Sequence, residues 1–265
     1  MSGAPGDRSE RNASMERFID PSARLGEGTT VGYFSVVGPG AVLGAGCVVG
    51  NNVVIHAGAS IGANVRIDDG TVIGKQPMKA ANSATTGDQE LSGAVVGDDC
   101  IIGTSVVIYA GCELGRRVLV ADLASVREYV TIGDFTIVGR GVTVENHCSV
   151  GRYCKLESEC YVTAYSHLED RVFVAPGVVT SNDNYIGRTE ERFKHFKGVT
   201  ILKGGRVGAG AVILPGKVVG EDAVVAAGSV LTGDAAPRKV VLGAPAKEHR
   251  DVPEEQLLKN QGWKD

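Results

Sequence analysis

The stretch IDPSARLGEGTTVGYFSVVGPGAVLGAGCVVGNNVVIHAGASIGANVRIDDGTVI, residues 19–73, decides the fold of this 265-residue chain. An aliphatic residue stands at every sixth position of it, from Ile19 to Ile73. The same count runs without interruption through residues 96–174 and again through 201–231. An α-helix repeats its apolar residues about every 3.6 positions and a plain strand about every two, so neither alone accounts for a period of six.

A period of six predicts a parallel β-helix, in which each hexad supplies one short strand and one turn. Three hexads close a triangular coil, and stacked coils hydrogen-bond to one another around an interior column of aliphatic side chains. The residue two places before each aliphatic position is small or β-branched, as at Ala23 and Thr29, because it points into the same narrow interior. Glycine often follows the aliphatic residue, as at Gly26, and suits a tight corner. We therefore predict an all-β fold with a single parallel β-helix of about ten coils.

The composition limits the partners and the compartment. A formal net charge of −4 with 22% charged residues gives no basic footprint for nucleic acid. The chain has no run of about eighteen apolar residues, and its start, MSGAPGDRSERNASMER, lacks the apolar stretch of a signal peptide. We expect a cytoplasmic protein that binds neither nucleic acid nor a membrane.

One repeat from end to end predicts one domain, residues 18–250. Residues 1–17 are polar and are predicted to be a disordered extension, whereas 251–265 are predicted to form a short C-terminal helix or tail that closes the solenoid. The six cysteines each stand two residues before an aliphatic position, where alanine, serine and valine stand in other hexads. They are predicted to fill the interior rather than to form disulfides or bind metal.

Two insertions interrupt the repeat: the first loop, residues 75–94, and the second loop, residues 181–200. A solenoid tolerates insertions at its corners, because an extruded loop leaves the strands beside it in register. Counting in eighteens defines the first corner, which is the turn that follows Ile108, Val126, Val144, Val162 and Thr180. The usual turn glycine is missing from all five of these coils. If the first loop is also a clean extrusion, both loops project from this one corner.

A polar strip lies along the first corner between the two loops. In successive coils it reads Arg127-Glu128-Tyr129, Glu145-Asn146-His147, Thr163-Ala164-Tyr165 and Ser181-Asn182-Asp183. Residues eighteen apart stack at one strand spacing, roughly 4.8 Å. Tyr129, His147, Tyr165 and Asp183 are therefore predicted to form a column with Glu145 beside it. A cleft of such residues walled by two loops is typical of a reactive site.

Three segments of the chain are informative beyond the repeat itself: ILPG at 213–216, AAGSVL at 226–231 and VLGAPAK at 241–247. With the hexads, they resemble the hexapeptide-repeat acyltransferases over about residues 18–250. This resemblance implies a left-handed winding of the β-helix, acetyl-CoA as the acyl donor, and a homotrimer with sites between subunits.

The two loops resemble one group of these enzymes more narrowly. The segments are GKQPMKAANSA at 74–84, VLVADLASVRE at 118–128, and SNDNY with ERFKHFKGV within 181–199. They are similar to N-acetyltransferases that act on nucleotide-linked amino sugars, such as dTDP-3-amino-3,6-dideoxyhexoses. The implied function is acetyl-CoA-dependent acetylation of the amino group of a dTDP-linked 3-amino-dideoxy sugar, in lipopolysaccharide or other glycan biosynthesis.

The implied transfer is direct: a neutral amine attacks the thioester carbonyl, an oxyanion forms, and the CoA thiolate leaves. A histidine with an ordinary pKa near about 6.5 is a reasonable base, and a backbone N–H at a coil corner is a reasonable oxyanion donor. We predict Glu145 and His147 as the catalytic residues that orient and deprotonate the amine. The predicted substrate-binding residues are Arg127, Tyr129, Tyr165, Asn182 and Asp183, with Lys75, Gln76 and Lys79 for the nucleotide diphosphate.

The CoA arm is expected to lie along the coils on flat backbone near Ala175, Ala209 and Ala227. Its phosphates need cations, and several cations cluster in the C-terminal third of the chain. The predicted phosphate ligands are Lys203, Arg206, Arg238, Lys239 and Lys247.

Other functions remain open at this stage. A zinc hydratase on a similar solenoid would need a close histidine pair, which His147, His167 and His195 do not offer, so no metal site is predicted. A noncatalytic β-solenoid scaffold gives no reason for two insertions and a charged strip at one corner. An O-acetyltransferase acting on a sugar hydroxyl is the main alternative, and it would depend more heavily on His147 as a base.

Overall fold

A computed structural model describes residues 16–263, and over these residues the chain winds as a parallel β-solenoid with almost no helix. Its strands form three sheets, A, B and C, which follow one another in turn along the chain. Paired strands are parallel in every case but the last two strands of sheet C, and most pairs are eighteen residues apart, as Val126 and Val144 are in sheet A. The predicted all-β parallel β-helix is confirmed.

Most strands are only two residues long. Sheet A holds 11 strands: Phe18–Ile19, Val36–Val37, Val54–Ile55, Val72–Lys75, Val107–Tyr109, Ser125–Val126, Thr143–Val144, Tyr161–Val162, Val179–Thr180, Val212–Ile213 and Val230–Leu231. Sheet B holds 10: Arg24–Leu25, Val42–Leu43, Ser60–Ile61, Val95–Val96, Glu113–Leu114, Thr131–Ile132, Ser149–Val150, His167–Leu168, Thr200–Ile201 and Val218–Val219. Sheet C holds 12: Thr30–Val31, Val48–Val49, Arg66–Ile67, Ile101–Ile102, Leu119–Val120, Ile137–Val138, Lys155–Leu156, Phe173–Val174, Arg206–Val207, Val224–Val225, Lys239–Gly243 and Ala246–Asp251.

The interior is a column of aliphatic side chains at the positions that the period of six predicts. Val37, Ile55, Ile108 and Val144, for example, have no solvent exposure. Shifting a strand by one residue would turn these side chains out to solvent, so the hydrophobic pattern holds the register of every coil. The first corner therefore presents equivalent positions at intervals of eighteen residues.

All six cysteines are buried as free thiols, as predicted. Burial raises the pKa of Cys100 and Cys154 to about 11. It raises the pKa of Cys112, Cys148 and Cys160 to about 12. These five thiols stay protonated near neutral pH and are poor nucleophiles.

The solenoid is slightly longer than the predicted ten coils. Thr180 occupies an interior position at the end of Val179–Thr180, although it is not aliphatic, and it is 3% exposed. Its hydroxyl donates a hydrogen bond to Tyr161 O (3.1 Å), so a polar side chain is tolerated there. Lys239–Gly243 adds a further strand after an irregular stretch that breaks the count.

The two ends differ from the sequence prediction in detail. The predicted disorder of residues 1–15 lies outside the described residues, and Arg17 Nη1 already donates to Val31 O (3.0 Å). At the other end, the helix predicted from residue 251 onward is wrong in type. Ala246–Asp251 pairs antiparallel with Lys239–Gly243, and only 3₁₀ turns follow, at Glu254–Gln256 and Leu258–Asn260. Leu257, between the two turns, has an extended backbone (φ −71°, ψ 146°), so the turns do not join into one helix.

Both loops leave the solenoid from the first corner, as the count in eighteens predicts. The first loop connects Val72–Lys75 of sheet A to Val95–Val96 of sheet B, and the second connects Val179–Thr180 to Thr200–Ile201 in the same way. The first corner is thus the turn from sheet A to sheet B. The second and third corners are the turns from B to C and from C to A.

Each loop rejoins the solenoid at a glycine that touches the backbone of a neighbouring coil. A Cβ added at Gly93 would lie 2.2 Å from the carbonyl carbon of Gly58. A Cβ added at Gly198 would lie 2.3 Å from the carbonyl carbon of Tyr165 and from the nitrogen of Ser166. Backbone atoms cannot rotate out of the way as a flexible side chain can, so only glycine fits at these positions.

Gly198→Ala is therefore expected to lower the free energy of unfolding by about 1–3 kcal/mol, the usual cost of overpacking. Urea unfolding followed by circular dichroism measures this loss. Gly87→Ala in the first loop is the matched control, because its added Cβ would meet no atom within 4 Å. Equal midpoints for Gly198→Ala and the native chain would contradict the steric account.

Candidate active site at the first corner

The polar strip occupies the first corner in four successive coils. Tyr129, His147 and Tyr165 each hold the same turn position, with φ of 60°, 59° and 66°. This left-handed conformation is adopted by glycine in the preceding coil, at Gly111 (φ 73°). Because the backbone repeats, the three side chains leave the solenoid in the same direction.

These side chains form the stack that the sequence predicts. The rings of Tyr129 and His147 lie 4.6 Å apart between centroids, with 12° between their planes. Those of His147 and Tyr165 lie 5.1 Å apart, with 5° between planes. Both faces of the imidazole are therefore covered, while its edge remains exposed. Gln89 of the first loop donates a hydrogen bond to the hydroxyl of Tyr129 at one end of the stack.

Asp183 does not continue this stack. Its carboxylate accepts hydrogen bonds from the backbone N–H groups of Tyr185 (2.8 Å) and Gly187 (2.9 Å) within the second loop. The hydrogen bonds from these backbone N–H groups lower the pKa of Asp183, and the one from Gly187 has the largest effect. The positive charge of Arg192 lowers this pKa further. Asp183 is thus an ionised carboxylate that helps to fold the second loop.

A buried ionic network lies beneath the stack. Arg127 makes two hydrogen bonds to the carboxylate of Glu128, Nε to Oε2 (2.8 Å) and Nη2 to Oε1 (3.0 Å). Its Nη1 is 3.4 Å from Oε2 of Glu145, and its Nη2 donates to the hydroxyl of Thr86 (3.2 Å) in the first loop. Glu128 is 1% exposed. Arg127 therefore connects one fully buried carboxylate, one partly exposed carboxylate and the first loop.

Asn146 connects the same network to the first loop by a second route. It has no solvent exposure, and its Nδ2 donates to Thr85 O (2.8 Å) and to Oε1 of Glu128 (3.2 Å). Both partners are acceptors only, so the amide orientation is fixed. Its Oδ1 is buried and has no hydrogen-bond partner within residues 16–263. The first loop is thus pinned to the strip through Thr85 and Thr86.

A cavity of about 180 Å³ lies between the two loops on this strip. Its lining includes Glu145 and Thr163 of the strip, Asp183 and Arg192 of the second loop, and Thr85 of the first. Two carboxylates and one guanidinium thus line a small polar space. Asn182 lines it as well, whereas Arg127, Tyr129, His147 and Tyr165 do not.

The environment of His147 keeps its imidazole neutral. Burial between the two tyrosine rings lowers the pKa of His147, and the opposing charge of Glu128 only partly offsets this. Neither ring nitrogen has a hydrogen-bond partner in the described part of the chain. A neutral imidazole with an open nitrogen can accept a proton, which is what a general base must do.

The three residues predicted to bind the nucleotide diphosphate all have partners within the chain. Gln76 exchanges two hydrogen bonds with the backbone of Leu91 and thereby closes the base of the first loop. Lys79 forms a salt bridge with Asp88 (2.6 Å), and the ammonium of Lys75 lies over the ring of Tyr109, 5.5 Å from its centroid. Of the two lysines, Lys75 is the one without a carboxylate partner among the described residues.

The residues predicted to bind CoA fall into separate places. Ala175, Ala209 and Ala227 lie on the third corner, after successive strands of sheet C. Lys203 and Arg238 lie on the second corner, with Arg206 at the start of the adjoining strand of sheet C. Lys239 pairs with Glu248 and Asp251 (2.8 Å each), and Lys247 stands on the same terminal hairpin. One extended CoA arm on a single chain does not account for all eight positions.

Other features bear on metal and membrane binding. No group of three His, Cys, Asp or Glu side chains within residues 16–263 is arranged to hold a metal ion. His167 shares a hydrogen bond with Ser149 (2.6 Å), and His195 contacts Glu191 (3.1 Å). No helix within the same residues is both long enough and apolar enough to span a membrane.

The sequence analysis missed Glu128 and Asn146 as parts of the site. Both stand at the position of the first corner where Ala110 and Ala164 stand in other coils, and all four are buried. A signal was available, because a carboxylate and an amide replace alanine at equivalent positions eighteen residues apart. Arg192, which lines the cavity from the second loop, carries no such signal.

Family models match three parts of the chain. The model described as bacterial transferase hexapeptide (six repeats) matches residues 22–57. The model described as hexapeptide repeat of succinyl-transferase matches residues 93–121 and 198–233. A search of curated proteins finds no match.

Solved structures of acyltransferases resemble this chain at low sequence identity. A UDP-N-acetylglucosamine O-acyltransferase from Moraxella catarrhalis is 18% identical, covers 94% of this chain and 77% of its own, and superposes with a TM-score of 0.53. The corresponding enzyme of Francisella novicida is 18% identical, with coverages of 94% and 72% and a TM-score of 0.46. A hexapeptide-repeat acetyltransferase from Vibrio cholerae, complexed with acetyl-CoA, is 22% identical, with coverages of 46% and 71% and a TM-score of 0.42.

Of these three structures, the one from Moraxella has a TM-score above 0.5, and at 18% identity the likeness is one of fold. The two family models add the repeat itself. The chain is therefore a hexapeptide-repeat β-solenoid that carries the repeat of the bacterial transferase models.

Proposed function

We propose that this protein is an acyltransferase that moves an acetyl group from acetyl-CoA to the amino group of a nucleotide-linked 3-amino-dideoxy sugar, with dTDP as the first candidate nucleotide. The observation that carries the proposal is the cavity at the first corner, lined by the carboxylates Glu145 and Asp183. One pair of opposite charges about 4 Å apart near a protein surface attracts by about 4 kcal/mol, so a protonated amine is drawn to these carboxylates. Arg127 beside Glu145 and Arg192 beside Asp183 reduce this attraction. A neutral sugar hydroxyl gains no such attraction.

The small size of the cavity supports a site that holds only one part of the substrate. Its volume of about 180 Å³ is below the roughly 300–1,000 Å³ of pockets that enclose a whole ligand. We propose that it takes the part of the sugar that carries the amine, and that the nucleotide lies outside it. A second subunit of a homotrimer would then cover the rest of the substrate, in line with the resemblance that the loop sequences carry.

The proposed step forms a bond from the amine nitrogen to the acetyl carbon and breaks the bond from that carbon to the sulfur of CoA. Acetyl-CoA supplies the activated acetyl group when it is bound. His147 does not line the cavity, so we place the amine at its mouth, where the neutral imidazole of His147 accepts the proton that the amine gives up. Glu145, which lines the cavity, orients the amine. Asp183 and Tyr165 hold hydroxyls of the sugar.

The test is thiol release from acetyl-CoA against a panel of dTDP- and UDP-linked amino sugars and their hydroxyl analogues. We expect release with a dTDP-linked 3-amino sugar and little with the matched hydroxyl sugar. The protein itself adds little background to a thiol assay, because its cysteines are buried. Release with hydroxyl sugars alone would replace the N-acetyl assignment with the O-acetyl alternative. Absence of release with every acceptor would remove the acyltransferase proposal.

The variant Glu145→Gln tests the role of the charge in the cavity. It preserves the shape of the side chain and removes a charge-assisted contact, so KM for the amino sugar should rise about tenfold or more. Glu27→Gln is the matched control, because Glu27 is an exposed residue of the second corner, between Arg24–Leu25 of sheet B and Thr30–Val31 of sheet C. An unchanged KM for Glu145→Gln would show that the amine does not contact this carboxylate.

A further inference from the structure

A larger cleft lies at the second corner, away from the polar strip. The closing segment, residues 252–263, covers the last coils here and leaves a cavity of about 620 Å³, lined among others by Arg171, Lys203 and Arg238. An adjoining cavity of about 270 Å³ shares Arg171 and Trp263 with it. Together they have the volume of a site for a small organic ligand.

Two cations of this cleft are available to a ligand. The side-chain nitrogens of Lys203 and Arg238 have no hydrogen-bond or salt-bridge partner within residues 16–263, although both line the cavity. Lys259, a third lysine in the lining, is paired with Glu254. Two carboxylates also line the cavity, Glu221 and Asp222; Asp222 accepts the backbone N–H of Leu258 (3.2 Å) and so anchors the closing segment.

A buried donor in the adjoining cavity adds a second observation. Arg206 Nη1 donates to Oε1 of Gln256 (3.2 Å), whereas its Nη2 is buried without an acceptor in the described part of the chain. Burial lowers the pKa of Arg206, and the negative charge of Asp222 offsets this only in part. A bound anion would supply the acceptor that Nη2 lacks.

An aromatic stack ends at the mouth of the cleft. The guanidinium of Arg171 lies 4.5 Å from the ring centroid of Tyr153 and 5.2 Å from that of Trp263. Tyr153 in turn stacks on Phe135, with centroids 4.8 Å apart. Trp263 is 60% exposed, so the indole closes the stack and still presents much of its surface to solvent. The exposed indole can stack against a planar base, and the unpaired cations can bind a phosphate.

We propose that this cleft binds a nucleoside diphosphate, with its base stacked on Trp263 and its phosphates on Lys203 and Arg238. Stacking of a base on an aromatic side chain tolerates different bases, and Lys and Arg are the usual phosphate partners. Glu221, which also lines the cavity, is placed to accept ribose hydroxyls, as acidic residues do in dinucleotide sites. A nucleoside diphosphate occurs both in CoA and in a dTDP-linked sugar, and the proposal holds whether or not the first corner transfers acetyl groups.

Trp263 makes a direct test possible, because it is the single tryptophan of the chain. The full chain is titrated with ADP, dTDP and inorganic pyrophosphate while its tryptophan fluorescence is followed, and the same titrations are repeated by calorimetry. We expect saturable binding of at least one nucleotide and weaker binding of pyrophosphate. Lys203→Ala and Arg238→Ala should each weaken nucleotide binding about tenfold, and Trp263→Ala should do so by calorimetry. Arg24→Ala, an exposed arginine of the first coils, should leave it unchanged.

The experiment tests two points separately: whether the cleft binds a nucleotide, and which of the two nucleotides it prefers. Tighter binding of ADP assigns the cleft to the nucleotide of CoA, and tighter binding of dTDP assigns it to the nucleotide sugar. The proposal is overturned if calorimetry and fluorescence both show no nucleotide binding, if pyrophosphate binds as tightly as the nucleotides, or if the Lys203 and Arg238 variants bind normally. Acetyl transfer without nucleotide binding at Trp263 would remove this proposal alone. Nucleotide binding without acetyl transfer would remove only the proposed function.

Discussion

The His147→Ala enzyme is expected to transfer the acetyl group about 10²–10⁴ times more slowly than the native enzyme, which is the usual contribution of a positioned general base. The imidazole lies between Tyr129 and Tyr165, and its ring nitrogens have no hydrogen-bond partner within residues 16–263. Alanine at this position removes both the base and the middle ring of the stack. Steady-state kcat with the best acceptor of the sugar panel measures the loss.

His147→Phe separates the two roles of this side chain. Phenylalanine keeps a flat ring between the tyrosines but cannot accept a proton. We expect His147→Phe to be about as slow as His147→Ala. If His147→Phe instead keeps kcat within about tenfold of the native value, the imidazole serves only the stack, and the amine loses its proton without a protein base.

The pH dependence gives an independent check on the same residue. Burial lowers the pKa of His147 in the folded protein, and Glu128 opposes the shift only in part. The neutral imidazole, which is the basic form, is therefore present above this lowered pKa. The rate should fall as pH decreases through a value below the ordinary histidine pKa of about 6.5, and this acid limb should be absent from His147→Phe.

Glu128→Gln is expected to lower the free energy of unfolding by about 3 kcal/mol. Glu128 holds Arg127 through two hydrogen bonds and accepts a third from Asn146, and its side chain is 2% exposed. Breaking a buried ion pair by removing one partner costs about 3–5 kcal/mol, because the other charge stays buried. The lower end applies here, since Arg127 is 21% exposed and retains a contact with Glu145. Urea unfolding monitored by circular dichroism measures the loss.

Glu159→Gln is the matched control for this stability measurement. Glu159 pairs with Arg140 at 2.6 Å, a shorter contact than any in the buried network, yet the two side chains are 59% and 57% exposed. Exposed pairs contribute only about 0–1 kcal/mol, because water screens them. We expect the control to stay close to the native chain. A larger loss for Glu159→Gln than for Glu128→Gln would show that distance, rather than burial, governs these pairs.

The sequence predicts the architecture of this chain because one simple rule repeats over most of it. The interior of a triangular coil admits only particular side chains, so positions such as Ile108 and Val144 reveal the register without any knowledge of tertiary contacts. The same register predicts that both loops leave from one corner and that Tyr129, His147 and Tyr165 stack. The structure confirms these predictions. Each of them depends only on the eighteen-residue repeat and not on how the loops fold.

The rest of the site depends on how the loops fold, which the repeat does not determine. Asp183 belongs to the column by count, but the second loop turns its carboxylate to Tyr185 and Gly187. Arg192 lines the cavity from a 3₁₀ turn at Glu190–Lys194, and no periodicity of the sequence predicts this turn. Glu128 belongs to the polar strip by count, but it is buried beside Arg127 and Asn146, which are hydrogen-bonded to Thr86 and Thr85 of the first loop. Loop residues thus decide which strip residues are buried, and the sequence pattern is silent on that point.

The reversal of the last strand has a consequence for how molecules meet one another. Ala246–Asp251 runs opposite to the rest of sheet C, and its sequence, AKEHRD, is mostly charged and exposed. A sheet that ended on a parallel, uncharged strand could template the first coil of another molecule and grow end to end. The reversed and charged strand therefore gives sheet C no parallel, uncharged edge on which a second molecule could stack.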